Sequence, residues 1–128
     1  MIMLENIRAA MAQDIYIAKG GEETIFPRFT YHGYRFVEIT GIDEPLPAAS
    51  VKGVVLSSIH ELASRYETSD EKVNKLWENI TWSSFANFMS IPTDCPQRNE
   101  RLGWAGDISV FSRTATYLAD VPQFLRRY

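Results

Sequence analysis

The apolar positions change period partway along the chain. Leu4, Ile7 and Met11 are at helical spacing, which predicts a short helix over 4–11. Residues 14–18 (DIYIA) alternate and predict a strand, ended by Gly20-Gly21. Tyr34 to Ile39 is aromatic and β-branched, which suits a second strand. Gly41 to Ala49 reads as a loop because its glycine and two prolines cannot sustain a ladder. Val51 to Ile59 then predicts a third strand. The period shifts at Tyr66. Thr68 and Glu71 have capping-box spacing, and Val73, Leu76, Trp77, Ile80 and Phe88 follow the helical repeat, so a helix is predicted near 69–88. Trp77 and Trp82 are expected in its core. Ile91 to Gly106 reads as mostly loop. From Asp107, Ile108, Phe111, Ala115 and Leu118 share a second helical face. Asp120 can cap a third helix with Pro122 in its first turn, and the stripe of Phe124, Leu125 and Tyr128 has no stop signal after it. Strands followed by helices predict an α+β chain at the junction of two domains.

Composition narrows the function. The 128 residues are about one domain's worth of chain, with 45% apolar and 23% charged residues, so disorder is excluded. A net charge of −3 argues against nucleic acid as a partner, because phosphate binding needs a basic face. The single cysteine, Cys95, excludes an internal disulfide and any multi-cysteine zinc site. No apolar run is long enough to cross a membrane. The first residues lack a basic segment followed by an apolar core, which predicts a cytoplasmic chain. No cofactor or metal is expected.

The densest polar segment is Thr93 to Asp107, TDCPQRNERLGWAGD. It holds the carboxylates Asp94, Glu100 and Asp107, the guanidiniums Arg98 and Arg101, and Trp104. A plain connector between two apolar helices would be shorter and less charged. The cluster could be a structural ion-pair network. It could equally be a sugar site. Carboxylates accept hydrogen bonds from vicinal hydroxyls, a Trp face covers the C–H side of a pyranose, and a carboxylic acid can protonate a glycosidic oxygen. Elsewhere, His32 reads as a structural, hydrogen-bonding turn residue, His60, with no partner at metal spacing, as a surface residue, Cys95 as a packed or hydrogen-bonded side chain, and Arg126-Arg127 as a solvated helix face.

The segment D-C-P-Q-R-N-E-R-L-G-W-A-G-D at 94–107 resembles the signature of bacterial α-L-rhamnosidases, inverting glycoside hydrolases that remove terminal rhamnose. FTYHGYRFVEITG at 29–41 and NKLWENITWSSFANFMSIPTD at 74–94 are similar to two further blocks of that family. Three ordered blocks are more specific than one short motif. The resemblance implies that residues 1–65 are the C-terminal part of a β-sandwich domain. It implies that residues 66–128 are the first helices of an (α/α)6 toroid, with the signature after its first helix, at the mouth of the sugar pocket.

By the same resemblance, Glu100 matches the general acid and Asp94 and Asp107 match acids that bind rhamnose hydroxyls. Trp104 matches an aromatic wall of the pocket. Arg98 and Arg101 match the motif, with the role of holding the carboxylates, and Arg98 is included in the substrate-binding set. Asn99 stands where the family usually has Asp, so one negative charge beside Glu100 is absent. The family's general base, a Glu much further along, matches no residue here.

The chain thus reads as part of an α-L-rhamnosidase acting on a rhamnose-containing glycoside or polysaccharide, without nucleic acid or membrane as partner. The alternatives are a non-catalytic carbohydrate-binding or interaction module and an inactive truncated product. Self-association through Val73, Leu76, Phe111 and Leu118 is a further expectation.

Overall fold

The computed structural model describes residues 2–128. Its ordered centre is helical. Helix α1 is Glu71–Asn87, α2 is Ala105–Leu118 and α3 is Pro122–Arg127. Between α1 and α2 a two-residue antiparallel hairpin pairs β1, Phe88–Met89, with β2, Ile91–Pro92. Ser90 makes its apex with a left-handed φ of 67°.

The start of α1 differs from a capping box. Asp70 is the N-cap, and its carboxylate accepts from the Lys72 amide at 2.8 Å. The Thr68 hydroxyl accepts from the Asp70 amide at 3.2 Å, and Asn74 Oδ1, not Glu71, accepts from the Thr68 amide at 2.7 Å. The reciprocal pairing survives with each partner moved one turn or less. The third helix is also capped differently. Val121, not Asp120, precedes it and makes no side-chain cap; Pro122 occupies the first turn, where its missing N–H costs nothing.

The buried core is small: Ile59, Phe88, Ile108, Ala115, Leu118, Ala119, Val121 and Phe124. Trp77, Ile80, Phe85, Phe111 and Leu125 pack against it. On α1 the inward face runs through Trp77, Ile80, Thr81, Ser84 and Phe85. Leu76 is 57% exposed, and Trp82, expected in the core, is 53% exposed. The apolar positions of α1 therefore span more than the one buried stripe. Leu118 is buried, and Phe111 packs on the core. Neither is free to join copies, which leaves Val73 and Leu76 of the four residues expected at such a contact.

The predicted strands 14–18, 34–39 and 51–59 do not form strands. These residues are irregular and, apart from 57–59, exposed, with Ile15 and Ile17 at 85% and Val54 at 77%. Their sequence is that of half-buried strands, but a strand is held by a ladder partner and a covered face. Among the described residues the only ladders are the hairpin and a single bridge, Leu62 to Ala119. The β part of the α+β expectation is thus not realised. Residues 4–11 contain one short 3-10 turn, Glu5–Ile7, in place of the predicted helix. The Gly20-Gly21 turn does form. Both glycines have positive φ, and the Tyr16 hydroxyl and Lys19 amide converge on the Glu23 carboxylate at 2.6 and 2.7 Å. The phenol and the amide donors hold that carboxyl below the usual carboxylate range.

Candidate active site

The loop from Thr93 to Trp104 leaves β2 and enters α2. Its base is fixed by Thr93, whose amide and hydroxyl both donate to the Asn87 carbonyl, at 2.8 and 2.9 Å. The chain then turns through Pro96–Asn99, and the Glu100 amide donates to the Arg98 carbonyl at 2.9 Å. That turn faces the Arg98 guanidinium onto Glu100 Oε2, in an ion pair whose side chains are only 15% and 23% exposed. The Cys95 thiol donates to Asp94 Oδ2 at 3.1 Å.

One polar atom from each of Asp94, Cys95 and Glu100 lies within 4.8 Å of the others. The trio offers three ligand atoms, but the Arg98 cation already occupies the Glu100 carboxylate, so a metal ion there would meet its charge. Burial pushes the Cys95 thiol up; Asp94 adds to that and Arg98 opposes it. Arg98 is held charged, chiefly by its contact with Cys95.

Asp94 also lines an open cleft of about 170 Å³ between α1 and α2. Asp107, in the first turn of α2, lines the same cleft with Phe111 of its own helix and Ser83 and Asn87 of α1. The structure therefore brings Asp94, Arg98 and Glu100 together and sets Asp107 in the cleft that Asp94 borders. Trp104 stands apart, 37% exposed at the N-terminus of α2. It is accessible to a ligand but touches no other member of the set in an aromatic or cation contact. Arg101 points to the other side of the loop, where it lines a second hollow with Arg98, Asn99 and His32.

One feature was not legible as part of the site. Tyr31, His32 and Gly33 are the only residues between 24 and 56 that are not exposed, and they lie against this loop. The Arg101 guanidinium sits 4.5 Å from the Tyr31 ring centroid. A Cβ on Gly33 would come within 3.0–3.1 Å of the Gln97 backbone. His32 Nε2 meets Asp14 Oδ2 at 2.9 Å, the structural role expected of it. A glycine inside an aromatic, strand-like run is the available signal, since it marks a close backbone approach.

Residues 61–128 match the family described as bacterial alpha-L-rhamnosidase 6 hairpin glycosidase domain, and residues 1–57 match the bacterial alpha-L-rhamnosidase concanavalin-like domain. Over 128 residues the chain is 47% identical to an alpha-L-rhamnosidase of Streptomyces avermitilis, covering 99% of this chain and 12% of that protein. It is 46% identical over 123 residues to one from Formosa agariphila, covering 94% of this chain and 13% of that protein. The crystal structure of a native alpha-L-rhamnosidase from Aspergillus terreus superimposes with a TM-score of 0.63 at 52% identity, over 67% of this chain and 10% of that one. The chain thus spans about an eighth of the length of the curated relatives it matches.

Proposed function

The chain belongs to the bacterial α-L-rhamnosidase family, and from that premise we propose that it carries the acid half of a rhamnoside-hydrolysing site. In this reading, residues 1–65 contribute the end of a β-sandwich domain and residues 66–128 the start of an (α/α)6 toroid. The segments 14–18, 34–39 and 51–59, which form no strand among the described residues, would find their ladders within that sandwich. The substrate is a terminal α-L-rhamnoside, cleaved with inversion. Glu100 protonates the departing glycosidic oxygen. Asp94 and Asp107 accept hydrogen bonds from the sugar hydroxyls, Trp104 covers a ring face, and Arg98 orients the carboxylates and contributes to sugar binding. A Glu outside these residues activates the water.

The observation that carries this reading is the Arg98–Glu100 pair. It fixes one carboxyl in a half-buried place beside Asp94, which in turn borders the cleft holding Asp107. A structural ion-pair cluster has no need of a second and third carboxylate around an open cleft. In a full-length enzyme carrying these residues, Glu100→Gln should lower turnover of an unactivated rhamnoside by about 10²–10⁴-fold, the usual worth of general acid catalysis. KM should change far less, since an amide keeps the shape but cannot donate the proton. Near-normal turnover of that substrate by the variant would sink the assignment. A leaving group that needs no protonation should be spared.

A further inference from the structure

Residues 31–33 lie in the part of the chain that matches the concanavalin-like domain, while the acid loop lies in the part that matches the six-hairpin domain. The two parts meet at the loop itself. Gly33 abuts the backbone of Gln97, one residue before Arg98. Tyr31 lies under the guanidinium of Arg101, one residue after Glu100. The two contacts therefore bracket the Arg98–Glu100 pair in sequence and in space. The bracketed backbone is under tension, because Arg101 has a φ of 26°, where a side chain is disfavoured. Its Nε is buried without a hydrogen-bond partner, and the Tyr31 ring lies 4.5 Å from its guanidinium carbon. A strained residue persists only where its surroundings over-determine it. Tyr31 supplies a constraint at Arg101 itself, and Gly33 one at Gln97, four residues earlier in the same loop.

We infer that Tyr31 and Gly33 are positioning residues: held by the rest of the N-terminal segment, they fix the loop so that Glu100 points at the departing oxygen. The inference rests on the reading of Glu100 as the acid. It gives the N-terminal segment a part in the reaction without any contact to the substrate. His32 completes the arrangement by tying the same segment to Asp14 at 2.9 Å. A cation–π contact of this kind is modest against folding but enough to bias the orientation of one loop. A Cβ at Gly33 would lie 3.0–3.1 Å from the Gln97 backbone, so a side chain there would push that backbone by a few tenths of an ångström.

The test uses a full-length rhamnosidase carrying these residues and two substrates, an unactivated alkyl rhamnoside and a rhamnosyl fluoride, which departs without an acid. Tyr31→Leu should lower kcat on the alkyl rhamnoside about 10- to 100-fold, the effect of misplacing a catalytic group by about an ångström. It should leave kcat on the fluoride within about twofold. Tyr31→Phe keeps the ring and should restore the alkyl activity. Gly33→Ala should follow Tyr31→Leu; if it does not fold, the Tyr31 pair still decides. Equal losses on both substrates, or no loss on either, would overturn the positioning role. Glu100→Gln, run in parallel, separates the failures. If it too retains alkyl turnover, the acid assignment has failed; if it alone behaves as an acid knockout, only the role of Tyr31 and Gly33 has.

Discussion

The Phe88 ring lies 4.6 Å from the Phe124 ring and 18° from parallel, so the residue that closes α1 is stacked on α3. Phe88 also meets Phe111 of α2 edge to face, at 6.2 Å and 83°. Its carbonyl accepts the Ser58 amide at 2.6 Å, which ties the preceding segment to the hairpin. One side chain thus joins all three helices and lines the same cleft as Thr93 and Asp94 at the start of the polar loop. Phe88→Ala should cost about 3–5 kcal/mol, the usual range for emptying a buried aromatic position. That is comparable with the whole stability of a marginal domain. Trp82→Ala should cost only the Trp82–Phe85 ring contact, about 0.5–1.5 kcal/mol. Urea denaturation followed by far-ultraviolet circular dichroism measures both, and equal costs would contradict this account of the core.

The start of α1 offers a second test. Asp70 accepts from the Lys72 amide, whereas Glu71 has no capping bond. Asp70→Ala should destabilise by about 1 kcal/mol and Glu71→Ala by no more than a few tenths. A true Thr68–Glu71 box would give Glu71→Ala the larger cost, and the same denaturation series distinguishes the two.

These two cases show what was readable in advance. The helices were legible because an amphipathic stripe is a local property: Ile108, Ala115 and Leu118 are buried as their spacing predicts. Caps were less so, since Thr68, Asp70 and Asn74 all have side chains able to serve and geometry chose among them. The segments read as strands failed because a ladder is not local. Ile15, Ile17 and Val54 mark a face that needs covering, and no described residue covers it. The candidate loop was legible as one dense polar segment, but the arrangement of its side chains was not. Asp107 reaches the cleft only because α2 turns it there, and nothing about Tyr31 or Gly33 alone announces a contact more than sixty residues away.

Trp104 should act on ligand more than on fold. It is 37% exposed and makes no side-chain cap on α2. In a full-length enzyme carrying these residues, Trp104→Ala should weaken rhamnose binding by about 1–2 kcal/mol, roughly 5- to 30-fold. The thermal midpoint should fall by only a few degrees. Isothermal titration with rhamnose and a thermal scan read the two quantities separately, and a large drop in midpoint with unchanged affinity would make Trp104 a packing residue instead.

Cys95 should be a slow nucleophile. Burial, the largest cause, and Asp94 both raise its thiol above the ordinary value, so less thiolate is present at any pH below it. Alkylation by iodoacetamide at pH 8 should run more slowly than for free cysteine, and the pH–rate curve should be displaced to higher pH. Asp94→Asn removes the neighbouring negative charge and should bring the curve back toward that of free cysteine. A curve displaced to lower pH in the unsubstituted chain would contradict the environment described for the loop.

The 128-residue chain alone should not hydrolyse rhamnosides, and the reason is geometric. Inversion needs an acid and a base roughly 6.5–9.5 Å apart, with room for water between them. The carboxylate nearest Glu100 is Asp94, and one oxygen of each lies within 4.8 Å of the other. That is shorter than the inverting range and short even of the roughly 5–5.5 Å of a retaining pair. With so little room between the two carboxylates, Asp94 cannot deliver water to the opposite face of a sugar ring that Glu100 protonates. Asp107 borders the cleft from the first turn of α2, in a lining that includes Asp94 and not Glu100. Asp120 lies beyond the far end of α2, away from the cleft. The isolated chain, assayed on an aryl α-L-rhamnoside beside its Glu100→Gln variant, should give background rates in both. Sugar binding without turnover is compatible with this, since Asp94, Asp107 and Trp104 are all present. Turnover above background that vanishes in the variant would mean that these residues assemble a base of their own, and the division of the site into an acid half and a distant base would be wrong.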